Sequence, residues 1–295
     1  MDIHWYPGHM TRARRMIEEN LARIDLVVEV LDARAPRASR NPDFDDLFAG
    51  KKRVAVLNKS DLADRAVTKQ WIARFEADGM PAAAVAAVSV GAKKRILACI
   101  DRAIAPDARR ALETRGVRKT FTVMVAGIPN VGKSTLINCL AGSGAARTGG
   151  KPGVTRGRQR VRITPYLELL DTPGLLWPKL EDPVSARHLA ITGAVRDETT
   201  DIPGLSLLLL EELARTYPDL LAGRYRIEAN LVQELPPREL LSEICRRRGF
   251  LAGGGEPDEE RGAATVLHEF RMGKLGAVSL ERPGEEETNG ADADA

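Results

Sequence analysis

The chain has 295 residues, of which 43% are hydrophobic and 29% charged, proportions typical of a globular protein with one large core and room for a smaller second domain. No apolar run approaches the roughly 18 residues that span a membrane, and the first residues lack the layout of a secretory signal, so we expect a cytoplasmic protein without membrane contact. The three cysteines stand far apart, which indicates free thiols and argues against a disulfide framework or a zinc site.

The formal net charge of +3 conceals an asymmetry along the chain. Residues 281–295 hold six acids and one base, a composition that predicts a disordered acidic tail. Without this tail, 43 basic and 35 acidic residues remain over 1–280. A body with that excess attracts polyanions such as nucleic acid, although solvated basic faces are also common.

The first half of the chain alternates apolar runs with amphipathic stretches. After a basic helix over 9–23, we predict strands at 26–31, 53–57 and 83–90, helices at 68–77 and 92–104, and a polar surface connection at 106–119. Nearly continuous apolar runs are typical of strands buried on both faces. Their alternation with helices predicts an α/β fold with a doubly wound, mostly parallel sheet.

The second half changes character after about residue 178. A fourth strand at 121–126 runs through a glycine-rich turn into a helix at 133–140, and strands at 158–163 and 167–170 form a predicted hairpin. Beyond it the strand pattern fades, and helices are predicted at 204–216, 236–248 and 258–275. We therefore expect a first domain over 1–178, a small helical domain over 179–280, and the tail.

Residues 127–134 read GIPNVGKS and match the phosphate-binding pattern GxxxxGK[ST] between a strand and a helix. The glycines let backbone amides face phosphates, and the helix presents its positive end to them. Lys133 supplies a charge to the β- and γ-phosphates and is a predicted catalytic residue, while the Ser134 hydroxyl is a predicted Mg²⁺ ligand. The other predicted nucleotide contacts of this segment are Asn130, Val131, Gly132 and Thr135.

A second phosphate-side element reads DTPG over 171–174 and follows a predicted strand. Asp171 is expected to hold Mg²⁺ through water, and the Gly174 amide to contact the γ-phosphate. Thr155, in the loop between the two elements, is the candidate for completing the Mg²⁺ shell and is a predicted catalytic residue. The alternative for Thr155 is a loop hydroxyl without a ligand.

Residues 58–61 read NKSD and end the second predicted strand. This is the NKxD pattern that selects guanine, because Asp61 accepts from the ring N1–H and the exocyclic amine, an arrangement that adenine does not offer. Asn58 contacts the base, the stem of Lys59 covers its face, and Ser60 completes the motif. Ser89, placed at the end of the third predicted strand, matches a weaker base-contact element.

The base motif precedes the phosphate-binding loop, the reverse of the usual order. With these motifs, and with WYPGHM at 5–10, DARAP at 32–36, PGVT at 152–155 and FRMGKL at 270–275, the chain resembles the circularly permuted P-loop GTPases, closest to the bacterial ribosome biogenesis GTPase A family. The resemblance implies GTP hydrolysis to GDP, a role in late maturation of the large (50S) ribosomal subunit, and rRNA contact by the helical domain. We expect a monomer.

The hydrolytic machinery is the least complete part of the pattern. The position after DTPG, where Ras-like enzymes carry a glutamine, is Leu175, which has no hydrogen-bonding group. The resemblance points to His9 as the catalytic residue that orients water; alternatively His9 packs or contacts RNA. It also points to Asn130 as a K⁺ ligand; alternatively Asn130 only favours the tight turn.

Three basic clusters are candidates for RNA contact, each with a solvated face as its alternative. They are Arg12, Arg14 and Arg15; Arg156, Arg158, Arg160 and Arg162; and Arg246, Arg247 and Arg248. Aromatic residues are only 4% of the chain, so we expect phosphate and shape recognition with little base stacking.

Other classes of protein account for the motifs less well. A GTP-dependent switch acting on a protein partner remains the alternative, and the basic clusters favour RNA over it. The NKSD element argues against an ATP-using enzyme. The intact phosphate and magnesium residues argue against a scaffold with a degenerate site.

Overall fold

A computed structural model describes residues 15, 17–142, 160–170, 182–195 and 200–284. Its sheet has six strands, which are β1 Leu26–Asp32, β2 Lys52–Asn58, β3 Ala82–Ala84, β4 Phe121–Ala126, β5 Arg160–Thr164 and β6 Leu167–Leu170. The spatial order is β3-β2-β1-β4-β6-β5, and only the β5–β6 pair is antiparallel. The predicted doubly wound, mostly parallel sheet is confirmed.

Helices cover both faces of this sheet. They are α1 Asp43–Leu47, α2 Arg65–Ala77, α3 Ala92–Arg115 and α4 Lys133–Ala141. All seven residues of β1 are buried, because alternate side chains point to opposite covered faces. Val28 and Val30 share a cluster with Ile100 of α3, whereas Leu31 clusters with Trp71 of α2 on the other face.

The chain reverses its direction of sheet growth between β1 and β4. Strands β2 and β3 are added on one side of β1, and β4, β6 and β5 lie on the other. In open α/β sheets, such a switch point leaves a crevice at the carboxyl ends of the strands, where ligands bind. Here Asp32 ends β1, Asn58 ends β2 and Ala126 ends β4 at that edge.

The C-terminal part is helical, as predicted. Its helices are α5 Pro183–Thr192, α6 Ile202–Thr216, α7 Pro218–Tyr225, α8 Ala229–Glu234, α9 Pro237–Arg248 and α10 Glu259–Arg271. The side chains of Asp182, Asp201 and Asp258 cap α5, α6 and α10 by accepting from backbone amides of the first turn. The apolar faces of α6 and α10 belong to the same cluster as the β1–α3 layer, so the two parts share one core.

Two predicted elements in the first half were wrong in length. The third strand, predicted over 83–90, ends at Ala84, and Val88 and Val90 are exposed in the turn that follows. The connection predicted over 106–119 is mostly helix, since α3 continues through Pro106 to Arg115. Alanine, arginine and leucine after Pro106 are strong helix formers, and Gly116 ends the helix in a left-handed conformation.

The predicted start of the acidic tail at residue 281 was also wrong. The side chain of Glu281 is buried, and its carboxylate accepts hydrogen bonds from the backbone amides of Arg37 and Ala38. A carboxylate with buried partners belongs to the fold, and composition alone did not reveal them. Residues 285–295 lie outside the described part. Within that part, every helix is too short or too polar to cross a membrane.

Candidate nucleotide-binding site

The phosphate-binding segment forms a turn between β4 and α4. Gly127 has φ 154°, Asn130 φ 61° and Gly132 φ 96°, so three residues of the segment adopt positive φ. A methyl group at Gly127 would lie 2.6 Å from the Val30 carbonyl oxygen, and one at Gly132 would overlap the Asn58 side-chain nitrogen. Only glycine fits at both positions, and the backbone is thereby free to line a cradle for phosphate.

Lys133, Ser134 and Thr135 form the first turn of α4, with partly buried side chains. Lys133 Nζ donates to the backbone carbonyl of Ile128 within the same turn. The first amides of a helix lack intrahelical partners and carry the positive end of the helix dipole. The segment therefore combines a cation, a hydroxyl and the positive end of a helix at one terminus, the donor set that a polyphosphate requires.

The base motif lies directly beside this segment. Asn58 Nδ2 donates to the Val131 carbonyl oxygen at 2.9 Å, and its Oδ1 accepts from the Ala87 amide at 3.0 Å. Asn58 is buried, so both bonds are made away from water, where an unpaired amide is costly. A single side chain thus fixes the distance between the NKSD segment and the phosphate-binding loop.

The other residues of the motif face outward. Lys59 has a left-handed φ of 59°, and its ammonium contacts Asp32 Oδ2 at 2.9 Å. The Ser60 amide donates to the Val85 carbonyl, which fixes the turn. Asp61 is exposed, and within the described residues its carboxylate makes no hydrogen bond or ion pair. That carboxylate is available as a hydrogen-bond acceptor for a ligand.

A buried ion pair lies under Lys59. Arg34 Nε and Nη2 contact Asp32 at 2.9 and 2.8 Å, and both side chains are buried. Burial opposes the ionised carboxylate, but the two cations outweigh it and hold the pKa of Asp32 well below its usual range. Asp32 therefore stays charged at neutral pH and orients Lys59. The DARAP segment was noted in the sequence, but its motif alone assigned no role to Asp32 or Arg34.

The end of α5 is joined to both halves of this site. Asn130 Nδ2 donates to the Gly193 carbonyl oxygen at 2.9 Å, and Arg34 Nη2 approaches the Thr192 carbonyl oxygen at 3.4 Å. Arg271 of α10 donates to the carbonyls of Ala190 and Ile191. Carbonyls at a helix C-terminus lack the full set of helical partners, and here side chains bind them, although the Ala190 carbonyl also accepts from the Gly193 amide. Sequence reasoning did not find this junction.

Ser89 does not end a strand. It lies in the turn between β3 and α3, its side chain is exposed, and its hydroxyl donates to the Ala86 carbonyl at 2.8 Å. The backbone that does lie against the base motif is slightly earlier, at Val85 and Ala87. Contact of Ser89 with the base stays a prediction.

Several predicted site residues lie outside the described part of the chain, namely His9, Thr155, Asp171 and Gly174. The same holds for Arg12, Arg14, Arg156 and Arg158. In the last basic cluster, Arg247 Nε contacts Glu243 at 2.8 Å and Arg248 contacts the buried Glu269. Arg248 is thus partly structural, and Arg246 and Arg247 are its more exposed members, at 57% and 50% side-chain exposure.

Comparison with known proteins agrees with this geometry. A family described as 50S ribosome-binding GTPase matches residues 122–203. Ribosome biogenesis GTPase A of Bacillus cereus is 42% identical over 97% of this chain and 95% of its own length. Mitochondrial ribosome-associated GTPase 1 of Mus musculus is 34% identical, over 94% of this chain and 90% of its own. The GNP-bound structure of YlqF from T. maritima has a TM-score of 0.65 at 28% identity, covering 92% of this chain and 99% of that one.

The fold and the order of its motifs define a circularly permuted P-loop GTPase, in which the strand that carries NKSD precedes the one that carries the phosphate-binding loop. Such enzymes hydrolyse GTP and use Mg²⁺. Within this class, the chain belongs to the ribosome biogenesis GTPase A family.

Proposed function

We propose that this chain binds GTP between NKSD and the phosphate-binding loop and hydrolyses it as an assembly factor in late maturation of the large ribosomal subunit. The observation that carries the proposal is the Asn58–Val131 hydrogen bond of 2.9 Å, which brings a guanine-selecting motif and a triphosphate cradle into one crevice. Its ribosomal part is supported by the ribosomal names of the relatives and by the basic excess of residues 1–280.

Guanine recognition is assigned to Asp61, Asn58 and Lys59. The exposed Asp61 carboxylate accepts from N1–H and the 2-amino group, and the Lys59 stem covers the ring while Asp32 holds its ammonium. Asp61→Asn should therefore lose GDP affinity and gain affinity for xanthosine diphosphate, whose 2-oxo group accepts from an amide. A variant that still prefers GDP as strongly as the wild type would contradict the assignment.

Phosphate binding is assigned to the backbone of 130–135, to Lys133 and to the Gly174 amide. Mg²⁺ prefers oxygen ligands and usually takes only one or two from the protein, the rest coming from phosphates and water. The Ser134 hydroxyl in the first turn of α4 fits that requirement, and Thr155 and Asp171 would complete the set. Mg²⁺ held by these residues would supply positive charge that neutralises the phosphates. Lys133 adds a fixed positive charge beside them.

Hydrolysis requires a group that orients the attacking water, and Leu175 cannot do so. We assign this task to His9, whose neutral imidazole can accept a proton from water. His9→Ala should lower GTP turnover about a hundredfold while GTP affinity stays within about twofold. His4→Ala, five residues earlier, is the matched control. Unchanged turnover in His9→Ala would remove His9 from the mechanism.

A K⁺ ion is assigned to Asn130. Its Nδ2 atom is held by the Gly193 carbonyl, and its Oδ1 atom accepts no hydrogen bond from the described residues. A side-chain oxygen fixed at the phosphate-binding loop is suited to a monovalent cation, which supplies positive charge near the transferred phosphoryl group much as an arginine finger does.

The helical region is assigned to rRNA contact through phosphate and shape. Exposed arginines at the end of α9 offer guanidinium groups for phosphates. Outside the helical region, the arginine-rich segment that leads into β5 offers further guanidinium groups. Binding to ribosomal RNA should then weaken steeply as salt rises. We further propose that the protein is a monomer with one domain over 1–178 and a second over 179–280, and that it acts in the cytoplasm.

The decisive experiment is GTP turnover with purified ribosomal subunits. Large subunits should raise turnover several-fold, whereas an equal concentration of small subunits should leave it near the basal rate. Equal stimulation by both subunits would reject the specificity for the large one. If neither subunit stimulates turnover, the proposed role in ribosome maturation is rejected. The assignment of guanine binding would then be tested by Asp61→Asn alone.

A further inference from the structure

The C-terminal end of the described chain returns from the helical region to the base motif. Residues 278–281, here called the C-terminal strap, are all buried: Val278 is 1% exposed, Ser279 5%, Leu280 6% and Glu281 3%. The strap lies outside the helices and strands and is fixed by hydrogen bonds at both ends.

The first half of the strap binds the loop directly after Asp61. The Val278 amide donates to the Leu62 carbonyl at 2.9 Å, and Ser279 Oγ accepts from the Asp64 amide at 3.2 Å. Tyr217, which directly follows α6, joins the same junction, since its hydroxyl lies 3.4 Å from Asp64 Oδ2 and 3.3 Å from the Ser279 amide. Two of the three residues that follow Asp61 are therefore held by groups from the C-terminal part.

The second half of the strap binds the DARAP segment. The Leu280 amide donates to the Arg34 carbonyl at 2.8 Å, and the Glu281 carboxylate accepts from the Arg37 amide at 2.7 Å. His188 Nδ1 of α5 lies 3.0 Å from the same carboxylate, and Trp71 of α2 donates to the Glu281 carbonyl. The strap thus contacts the loop after Asp61, the DARAP segment, α5 and α2. A displacement of the strap would therefore also displace the segments that follow Asp32 and Lys59.

This placement matters because Asp61 itself has no partner among the described residues. The orientation of its carboxylate therefore depends on the backbone of Asp61. That backbone is fixed before Asp61 by the turn at Lys59, and after it by Leu62 and Asp64, which are hydrogen-bonded to the strap. A hydrogen bond to a base edge depends steeply on angle and distance. Preorganising the carboxylate lowers the entropy lost on binding and sharpens the choice of base.

We propose that the C-terminal strap, through Ser279 and its partner Tyr217, positions Asp61 for guanine and thereby sets the base specificity of the site. The strap residues do not touch the nucleotide and act as positioning residues. The inference rests on the proposed role of Asp61 in binding guanine. It adds the C-terminal part of the chain to the determinants of nucleotide choice.

The test uses the full chain with Ser279→Ala and Tyr217→Phe combined, changes that remove the hydroxyls at the junction and keep the packing. Affinities for GDP and inosine diphosphate are measured by competition with a fluorescent guanine nucleotide. Inosine lacks the 2-amino group and so makes one hydrogen bond fewer to Asp61. GDP affinity should fall about tenfold, which corresponds to about 1.4 kcal/mol, and the preference for GDP over inosine diphosphate should fall at least about threefold.

Glu211→Gln is the matched control, since Glu211 is exposed on α6, the helix that Tyr217 follows, and its substitution should leave both affinities unchanged. An equal loss for both nucleotides would mark the strap as a general structural support and overturn the proposal, as would unchanged affinities. Should the double variant not fold, Ser279→Ala alone decides the point by the same ratio.

The proposed role of Asp61 can fail separately. If the wild type does not prefer GDP over inosine diphosphate, or Asp61→Asn does not shift preference to xanthosine diphosphate, the base assignment itself is wrong. If both of those results appear and the strap variants keep the wild-type ratio, only the positioning role of the strap is rejected.

Discussion

Asn130 of the phosphate-binding loop donates a hydrogen bond of 2.9 Å to the backbone carbonyl of Gly193, at the end of α5. Arg34 and Arg271 bind the three preceding carbonyls of the same helix end. Helix α5 begins at Pro183, nine positions after the DTPG element ends in sequence. The C-terminal end of α5 therefore connects the phosphate-binding loop, the DARAP segment and α10. A displacement of any one of these elements should alter the positions of the other two.

Asn130 is expected to support a response to K⁺. Wild-type turnover in K⁺ should exceed that in Na⁺ by at least about tenfold, since a positive charge at the transferred phosphoryl group stabilises the transition state. Asn130→Ala should abolish the difference. Asn130→Asp keeps oxygens toward the cation but loses the donor to Gly193, and it should keep the K⁺ response. Equal wild-type rates in the two buffers would reject K⁺.

Gly132 is expected to be irreplaceable for two separable reasons. Gly132→Ala meets both a left-handed φ and overlap with Asn58, and should lower the free energy of unfolding by about 2–3 kcal/mol and nucleotide affinity more than tenfold. Gly116→Ala, left-handed like Gly132 (φ 64°) with open space around it, isolates the backbone term and should cost about 1 kcal/mol without changing nucleotide affinity. Urea unfolding and GDP titration measure the two quantities. Similar losses at both positions would show that overlap with Asn58 is unimportant.

Asp32 is expected to be critical for stability and for the base site. Asp32→Asn leaves the buried Arg34 cation without its counter-charge, so the free energy of unfolding should fall by about 3–5 kcal/mol. The Lys59 ammonium is released at the same time, and GDP affinity should fall. Asp45→Asn makes the same change at a carboxylate whose side chain is 57% exposed, and it should cost at most about 1 kcal/mol. A small loss at Asp32 would mean that Arg34 finds another partner.

His188 is expected to make stability depend on alkaline pH. Burial by itself would lower the pKa of His188, but hydrogen bonds and charge from Glu212 and Glu281 outweigh it and raise the pKa from its ordinary 6.5 to about 9. A group whose pKa is raised on folding stabilises the fold fully below pH 6.5, and the contribution is lost as pH rises through about 9. The free energy of unfolding should therefore fall between these limits, by at most about 3 kcal/mol.

The matching variants are His188→Gln and His268→Gln. The first should be less stable at pH 6 and show a flat profile up to pH 9, because no charged imidazole remains between the two carboxylates. The second, exposed on α10, should follow the wild-type profile. A wild-type slope that persists in His188→Gln would assign the pH dependence to another group.

The sequence predicted the parts of this site that are written in contiguous residues. GIPNVGKS and NKSD have local backbone requirements, glycine at Gly132 and a turn after a buried strand, and the structure places them side by side. The parallel sheet also followed from local pattern, since its buried strands are continuous apolar runs. The errors arose where local pattern is weak: a run of alanines and valines after Ala84 resembled a strand, and Pro106 resembled a helix end.

The sequence by itself determined which residues can cradle a polyphosphate and select guanine, because each motif carries its chemistry within a few neighbouring positions. Tertiary structure alone decided what holds those motifs in place. Asn130 meets Gly193 across 63 positions and Arg37 meets Glu281 across 244, so no periodicity or spacing in the chain connects them. The same acidic residue that composition assigned to a disordered tail is buried because two backbone amides and a histidine face it, and only the folded chain brings those groups together.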